Sequence, residues 1–328
     1  MQHKITVLLS ACALAWALPL TQAAAQASYP TDKPIRLIVP YSPGGATDVI
    51  GRIVADNLGR ALGQSVVVDN REGAGGNIGA AEVARAKGDG YTLLMGALTS
   101  HSVMATLEKD RINYDLQKDL RPVGVVGSVP LVVVVTPALP ANNLDELVAL
   151  AKEKPNGLNF ASSGAGAPQR MAMELFKQLK GIEIQHVAYR GSGPAMTDLV
   201  GGQVETMAET VPAAIGFIKS ERLRPLAVLT DERISMLPNV PTAKEQGYEG
   251  FNVASLFGVM APTGTPDEIV EKLNLSLREV LAKPEVQAKL LEQGVYAAPL
   301  NIEDSKNRLA QEIQQWATVI KDGNITVN

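Results

Sequence analysis

The chemistry this chain could carry is concentrated in four stretches. In each, a short apolar run gives way to a Gly/Ser/Pro loop and then to a helix start. Residues 35–39 lead into Pro40-Tyr41-Ser42-Pro43-Gly44-Gly45-Ala46-Thr47-Asp48, and residues 66–68 into a loop holding Gly73-Ala74-Gly75-Gly76-Asn77. Phe160-Ala161 leads into Ser162-Ser163-Gly164-Ala165-Gly166-Ala167-Pro168, and residues 187–189 into Arg190-Gly191-Ser192-Gly193-Pro194. A helix start exposes unpaired N–H groups at the positive end of its dipole. Glycines let the backbone come close to a ligand, and hydroxyls add donors. The fit is to an anion. The candidate contacts are Ser42, Gly44, Gly45, Ala46, Thr47, Asn77, Ser162, Ser163, Ala165, Gly166, Tyr189, Arg190 and Gly191. One such loop is an ordinary tight turn. Two in each half of the chain fit a ligand with carboxylates at both ends, gripped from both sides of a cleft.

Catalytic patterns fail on spacing. Gly73-Ala74-Gly75-Gly76-Asn77-Ile78-Gly79 approaches a dinucleotide fingerprint, but GxGxxG needs glycine where Ile78 stands. There is no GxxxxGK[ST] and no GxSxG. The only histidines after the leader are His101 and His186, and no Asp lies between Ser163 and His186 to build a hydrolase triad. Neither a metal site nor a cofactor is expected without His/Cys clusters. His186, in an apolar strand, reads as a hydrogen-bonded structural residue. His101 and Thr99 follow a strand end and are candidates for the cleft wall. Asp48 reads as an N-cap or a loop-bracing carboxylate rather than a ligand for substrate. Arg190 is open between a ligand's carboxylate and a solvated rim. Glu205 and Glu209 share a strand face but are too isolated for acid–base work. Thr210, before Pro212, is a candidate donor into the cleft.

The elements that must position these groups alternate. Strands are expected at 35–39, 66–68, 92–95, 131–135, 158–161, 184–188, 204–208 and 226–229, with helices between them at 49–62, 77–86, 144–152, 168–179 and 194–200. That order predicts an α/β fold with parallel-rich sheets covered by helices. Thr265-Pro266-Asp267-Glu268 reads as a capping box opening the first of three C-terminal helices. Crossings between lobes are expected near Gly127–Pro130 and Val253–Ala261, giving domain I as 28–128 with 255–328 and an inserted domain II at 129–254.

The 328 residues carry 30 Lys+Arg against 34 Asp+Glu, so no basic nucleic-acid face is expected, and 46% apolar content excludes global disorder. Met1-Gln2-His3-Lys4, the apolar run 5–20 and Ala23-Ala24-Ala25 read as a secretory signal over 1–27, cut after Ala25 or Ala27. The lone Cys12 matches a lipoprotein box, but too few apolar residues precede it for lipidation to be expected. The expected location is the periplasm.

The Pro40-to-Asp48 motif with Arg52 resembles the Bug family, the extracytoplasmic solute receptors of tripartite tricarboxylate transporters. Asn70-Arg71 with the Gly73-to-Gly79 loop, Asp89-Gly90-Tyr91-Thr92-Leu93 and Asp119-Leu120-Arg121-Pro122-Val123 carry the same resemblance. So do Val187-Ala188-Tyr189-Arg190-Gly191-Ser192-Gly193-Pro194-Ala195, Gly201-Gly202-Gln203-Val204, and Arg233 with Leu237-Pro238-Asn239-Val240-Pro241-Thr242. The resemblance implies a type II periplasmic binding protein, a Venus flytrap of two α/β domains. It implies a monomer that binds a small di- or tricarboxylate without turnover and passes it to membrane transport subunits. A signalling partner such as a sensor kinase, an exported enzyme of small acids and a surface adhesion protein are the other readings. Where the family often has an aromatic, this chain has Met207-Ala208, and Leu256-Phe257 stand where Trp is frequent. Those smaller walls leave room for an aromatic carboxylate.

Overall fold

The computed structural model describes residues 29–327; the expected signal segment and Cys12 lie outside them. One mixed sheet runs through the molecule. The first half-sheet contains β1 (Ile35–Val39), β2 (Val66–Asn70), β3 (Thr92–Ala97) and β9 (Ala254–Pro262). The second contains β5 (Asn159–Ser162), β6 (Gln185–Ala188), β7 (Thr206–Thr210) and β8 (Arg224–Val228). The 16-residue β4 (Leu120–Val135) belongs to both. Its first part pairs with β9 from Leu120↔Pro262 to Pro130↔Ala254, and its last five residues pair with β7. The strand order is β2-β1-β3-β9-β4-β7-β5-β6, with β8 and the short β10 (Tyr296–Ala297) also on β4.

Pairing within each half is parallel, as the βα alternation predicts: β1 with β2 and β3, and β5 with β6 and β7. The crossing strands β4 and β9 are antiparallel to their neighbours, because the chain leaves the first half by one and returns by the other. Both faces are covered, which explains the unbroken apolar run in β4. Leu131, Val133 and Val135 enter one core with Phe160 and Phe176, while Val132 and Val134 enter another with Met196, Leu199 and Met207. In the first half Leu37 and Val39 pack under α1 (Ala46–Leu62), while Ile38 faces the side holding Leu94, Leu98 and Met260.

Helices α2 (Asn77–Ala84), α4 (Leu144–Glu153), α5 (Pro168–Lys180) and α6 (Ser192–Val200) follow the sequence expectation to within a few residues. So do α8 (Asp267–Leu281), α9 (Pro284–Glu292) and α10 (Ile302–Asp322). Helices α3 (Leu98–Leu107) and α7 (Val211–Lys219) were not expected. The capping box at Thr265 is corrected: α8 begins after Pro266 with no side-chain cap, and the buried Thr265 Oγ1 finds no partner.

Helix α10 joins the two halves. Leu309 packs with the Leu98 and Met260 core, whereas Trp316, Val319 and Ile320 pack with Phe160 and Phe176. Between them lies Glu312, 4% exposed. It accepts from Thr99 Oγ1 at 2.8 Å, Trp316 Nε1 at 2.9 Å and Arg308 Nη2 at 3.0 Å. Thr99 Oγ1 in turn accepts from Leu256 N–H at 3.0 Å, so the network ties α3 and α10 to the start of β9.

Candidate functional site

A cavity of about 730 Å³ lies where loops from the two half-sheets face one another, a size suited to a small molecule. Five helices begin against it. Ala46 and Thr47 open α1, Ser100 lies in the first turn of α3, and Pro168 and Gln169 open α5. Ser192 opens α6, and Pro212 and Ala213 lie in the first turn of α7. None of these five starts has a side-chain cap; the N-cap residues are Gly45, Ala97, Ala167, Gly191 and Thr210. Their first-turn amides therefore keep unpaired donors at the positive dipole ends. No Lys, Arg or His lines the cavity among the described residues. Its donors are main-chain groups, hydroxyls and the amides of Gln169 and Gln293; Glu108 and Glu292 also reach its lining, and Met104, Val129 and Phe257 give it apolar wall.

The α1 entrance is held by Asp48. Its carboxylate accepts from Gly44 N–H, Arg52 Nε and Asn70 Nδ2, each at 2.9 Å. Burial pushes this carboxyl up, but the bonds from Arg52, Gly44 and Asn70 outweigh it and hold the pKa at about 2. Of the two roles the sequence suggests, Asp48 braces the loop and does not cap α1, whose N-cap is Gly45. In the second half, Ser162 Oγ bonds His186 Nε2 at 2.7 Å, and the imidazole stacks on Phe160 with centroids 4.9 Å apart. His186 is thus a structural residue. Burial, then Arg170 and Lys177, lowers its pKa to about 4.

Of the expected contacts, Ala46, Thr47, Ser163, Ala165, Gly166 and Thr210 line this one cavity. The others do not. Ser42 is exposed and bonded to Glu72, Gly44 donates its N–H to Asp48, and Gly45 serves as the N-cap of α1. Asn77 is spent on Glu108 and Tyr114, and Thr99 on the Glu312 network. His101 is wholly buried beneath Tyr41 and the Gly76 backbone, with neither ring nitrogen paired. Burial lowers its pKa to about 4. Ser162 is spent on His186, and Tyr189 donates to Asp198 at 2.7 Å. Arg190 is exposed and off the lining, and Gly191 caps α6. Thr210 is corrected in role: its N–H and hydroxyl both donate to Glu209 Oε1, at 2.7 and 3.1 Å. The proton expected to point into the cleft points away. Met207 and Ala208 are core residues rather than cavity wall, so only Phe257 of the residues expected to widen the cavity lines it.

The sequence reading missed Ser100, which lies between its candidates Thr99 and His101, Gln169, one residue past its loop ending at Pro168, and Ser192, which stands inside a marked loop but not among its contacts. Following each loop through the first helical turn would have found them. Met104 and Phe257 carry no such signal. Across the cavity, a Cβ built on Gly166 would lie 2.5 Å from Met104 Sδ and 2.8 Å from its Cγ, so the two sides meet where only glycine fits.

Residues 50–325 match the family model described as tripartite tricarboxylate transporter family receptor, TctC. The chain belongs to the TctC receptor family. It is similar to Protein BugT of Bordetella pertussis, 40% identical over 295 residues and 90% of each chain. The solved structure of R. palustris Rpa4515 with adipate is 35% identical with a TM-score of 0.77, covering 91% of this chain and 99% of that one. MatC from Rhodopseudomonas palustris with bound malate is 30% identical with a TM-score of 0.74, covering 88% and 99%. The fold is that of a periplasmic binding protein, and the chain is a TctC-family solute-binding receptor.

Proposed function

We propose that this receptor captures a small di- or tricarboxylate between its lobes in the periplasm and delivers it, without turnover, to the membrane subunits of a tripartite tricarboxylate transporter. It works as a monomer with lobes at 28–128 plus 255–328 and at 129–254, bending at the paired β4 and β9. An aromatic carboxylate remains within the proposed range through Phe257. One observation carries the reading: five helix starts without side-chain caps surround one cavity that holds no basic side chain. Such a site neutralises carboxylates with oriented amides. The adipate and malate held by the two R. palustris relatives are acids of this class.

The test is thermal unfolding of residues 28–328 with a panel of acids and their uncharged amides. At a hundredfold excess over Kd, a bound acid adds about 2.7 kcal/mol of stability and raises Tm. The reading fails if no acid shifts Tm, or if the amides shift it equally. Appearance of a product by mass spectrometry would refute the absence of turnover.

Gly166→Val checks that the two sides must meet. Its side chain would stand where Met104 packs, holding the β5–α5 loop off α3. Affinity for the stabilising acid is expected to fall about a hundredfold, or about 2.7 kcal/mol. Tm without acid should stay near wild type. Unchanged affinity by calorimetry would show that the approach of Gly166 to Met104 plays no part in binding.

A further inference from the structure

Around the cavity, two glycines bring the halves of the molecule together. One is Gly166, against Met104. The other is Gly294, between α9 and β10, against Pro212 in the first turn of α7. A Cβ built on Gly294 would lie 2.0 Å from Pro212 Cγ and 2.9 Å from its Cδ. The Gly294 α-carbon is therefore already in contact with the ring. Its φ of +74° suits a glycine that ends a helix and explains the residue type by itself. The contact is a separate fact.

Neither side of this contact gives easily. Val295, the next residue, is 1% exposed in the core under α1, and Val211 is fully buried in the core of the second half. Pro212 is a closed ring with no rotamer that swings it away. The contact also lies beside the bend. Tyr296 of β10 pairs with Ser128 of β4, and Thr210 of β7 pairs with Leu131 of the same strand. Gly294 and Pro212 each stand two residues from these neighbouring rungs, where β4 passes from one half-sheet to the other. Gln293 and Pro212 line the cavity, so the contact is on its wall. Halves that bend toward each other here come to rest ring against backbone.

That resting point bears on the ligand. Helices α1 and α3 begin on one side of the cavity, and α5, α6 and α7 on the other. The separation of the two sets of helix starts decides how far apart two carboxylates can be held. Close to a pivot, a small widening is magnified at the far lip.

We infer that Gly294, resting on Pro212, is the stop that sets how far the halves close and so selects the chain length of the acid. The inference rests on the carboxylate reading above and adds length to it. Gly294 is off the cavity lining and is a positioning residue.

Gly294→Ala tests it. Carbon atoms need about 3.5–4.0 Å, so the new Cβ pushes the halves apart by about 1.5 Å, the length of one carbon–carbon bond. Calorimetry at neutral pH on succinate, glutarate, adipate, pimelate and suberate reads the effect. Wild type should prefer one length. In Gly294→Ala the affinity ratio of each acid to its next shorter neighbour should rise, by about tenfold around the wild-type optimum, since one methylene is worth that much in a fitted site. Adding Pro212→Ala clears Cγ and Cδ from the path and should return the ratios to near wild type. Alanine at a positive φ is equally strained in both variants, so only the contact differs between them. Gly294→Asn carries the same Cβ on a residue that tolerates this backbone region, and it should show the same shift should the alanine variant not fold. A uniform loss across the series, or a shift that survives in the double variant, overturns the stop and leaves the carboxylate reading standing. Binding of another acid of the thermal panel with none of this series does the same. Failure of every acid to bind overturns both.

Discussion

Unfolding at pH 4.5 rather than 7.5 is expected to find the protein weaker by about 2–3 kcal/mol through His101 alone, from the gap between a free imidazole and one held near 4. The sign follows from burial. The imidazole is wholly buried in α3 with neither nitrogen paired, so its charged form is disfavoured in the fold and not in the unfolded chain. The unfolded state therefore binds the proton first. The stabilisation is complete above about pH 6.5 and is lost as pH falls toward 4. His186, half-buried and lowered by burial with Arg170 and Lys177, acts in the same direction, with a smaller effect because solvent reaches it. Asp48 does not confuse the result, since its pKa of about 2 keeps it ionised across this interval. Urea melts between pH 4.5 and 7.5 on wild type and His101→Leu check it. The variant cannot titrate and should show a distinctly shallower pH dependence. Equal stability of wild type at the two pH values would refute the account, as would an unchanged slope in the variant.

The second large effect is structural. Glu312→Ala removes the acceptor shared by Thr99, Trp316 and Arg308, leaving the buried indole N–H unpaired between α3, β9 and α10, while Thr99 Oγ1 keeps only its bonds to the Ala254 carbonyl and Leu256 N–H. Leaving that indole without an acceptor costs about 1–3 kcal/mol, and the packing lost with the glutamate stem adds to it. Glu312→Gln keeps one oxygen for Thr99 and Trp316 and loses the charge and the acceptor that faces the half-exposed Arg308, so it should cost about 1–2 kcal/mol. The comparison is made by denaturant melts of both variants at neutral pH. An alanine variant within about 1 kcal/mol of wild type would mean that water replaces the carboxylate.

The sequence disclosed elements whose two faces are unambiguous. The stripe of α1 and the unbroken run at the end of β4 are legible because burial follows from the period. Three features hid. Most of β4, before the expected strand at 131–135, carries no strand signal, since Pro122, Gly124, Gly127 and Pro130 punctuate it and such residues ordinarily mark turns. Here the ladder shifts register at Pro122/Gly124 and again at Val125/Gly127, which absorbs them. Helix α3 shows no stripe because its polar Thr99, His101 and Ser102 are as buried as Leu98. Helix α7 was masked by Pro212, which sits in its first turn where proline is tolerated. At the site, the anion loops were legible from glycine and serine density. The direction of each hydrogen bond was not. Thr210 looked like a donor until Glu209, its neighbour in the chain, was seen to take its proton.

The joint between the halves has one more implication. Pro130 and Ala254 face each other across the β4–β9 ladder, at the points where the chain leaves the first half-sheet and re-enters it. The intervening 123 residues, 131–253, therefore start and finish side by side. A segment whose ends already touch forms a cassette: its removal or exchange leaves no gap to span. Recombination among relatives could exchange this segment through a single pair of adjacent splice points, with Trp316, Val319 and Ile320 of α10, which complete its core, as the further residues to match.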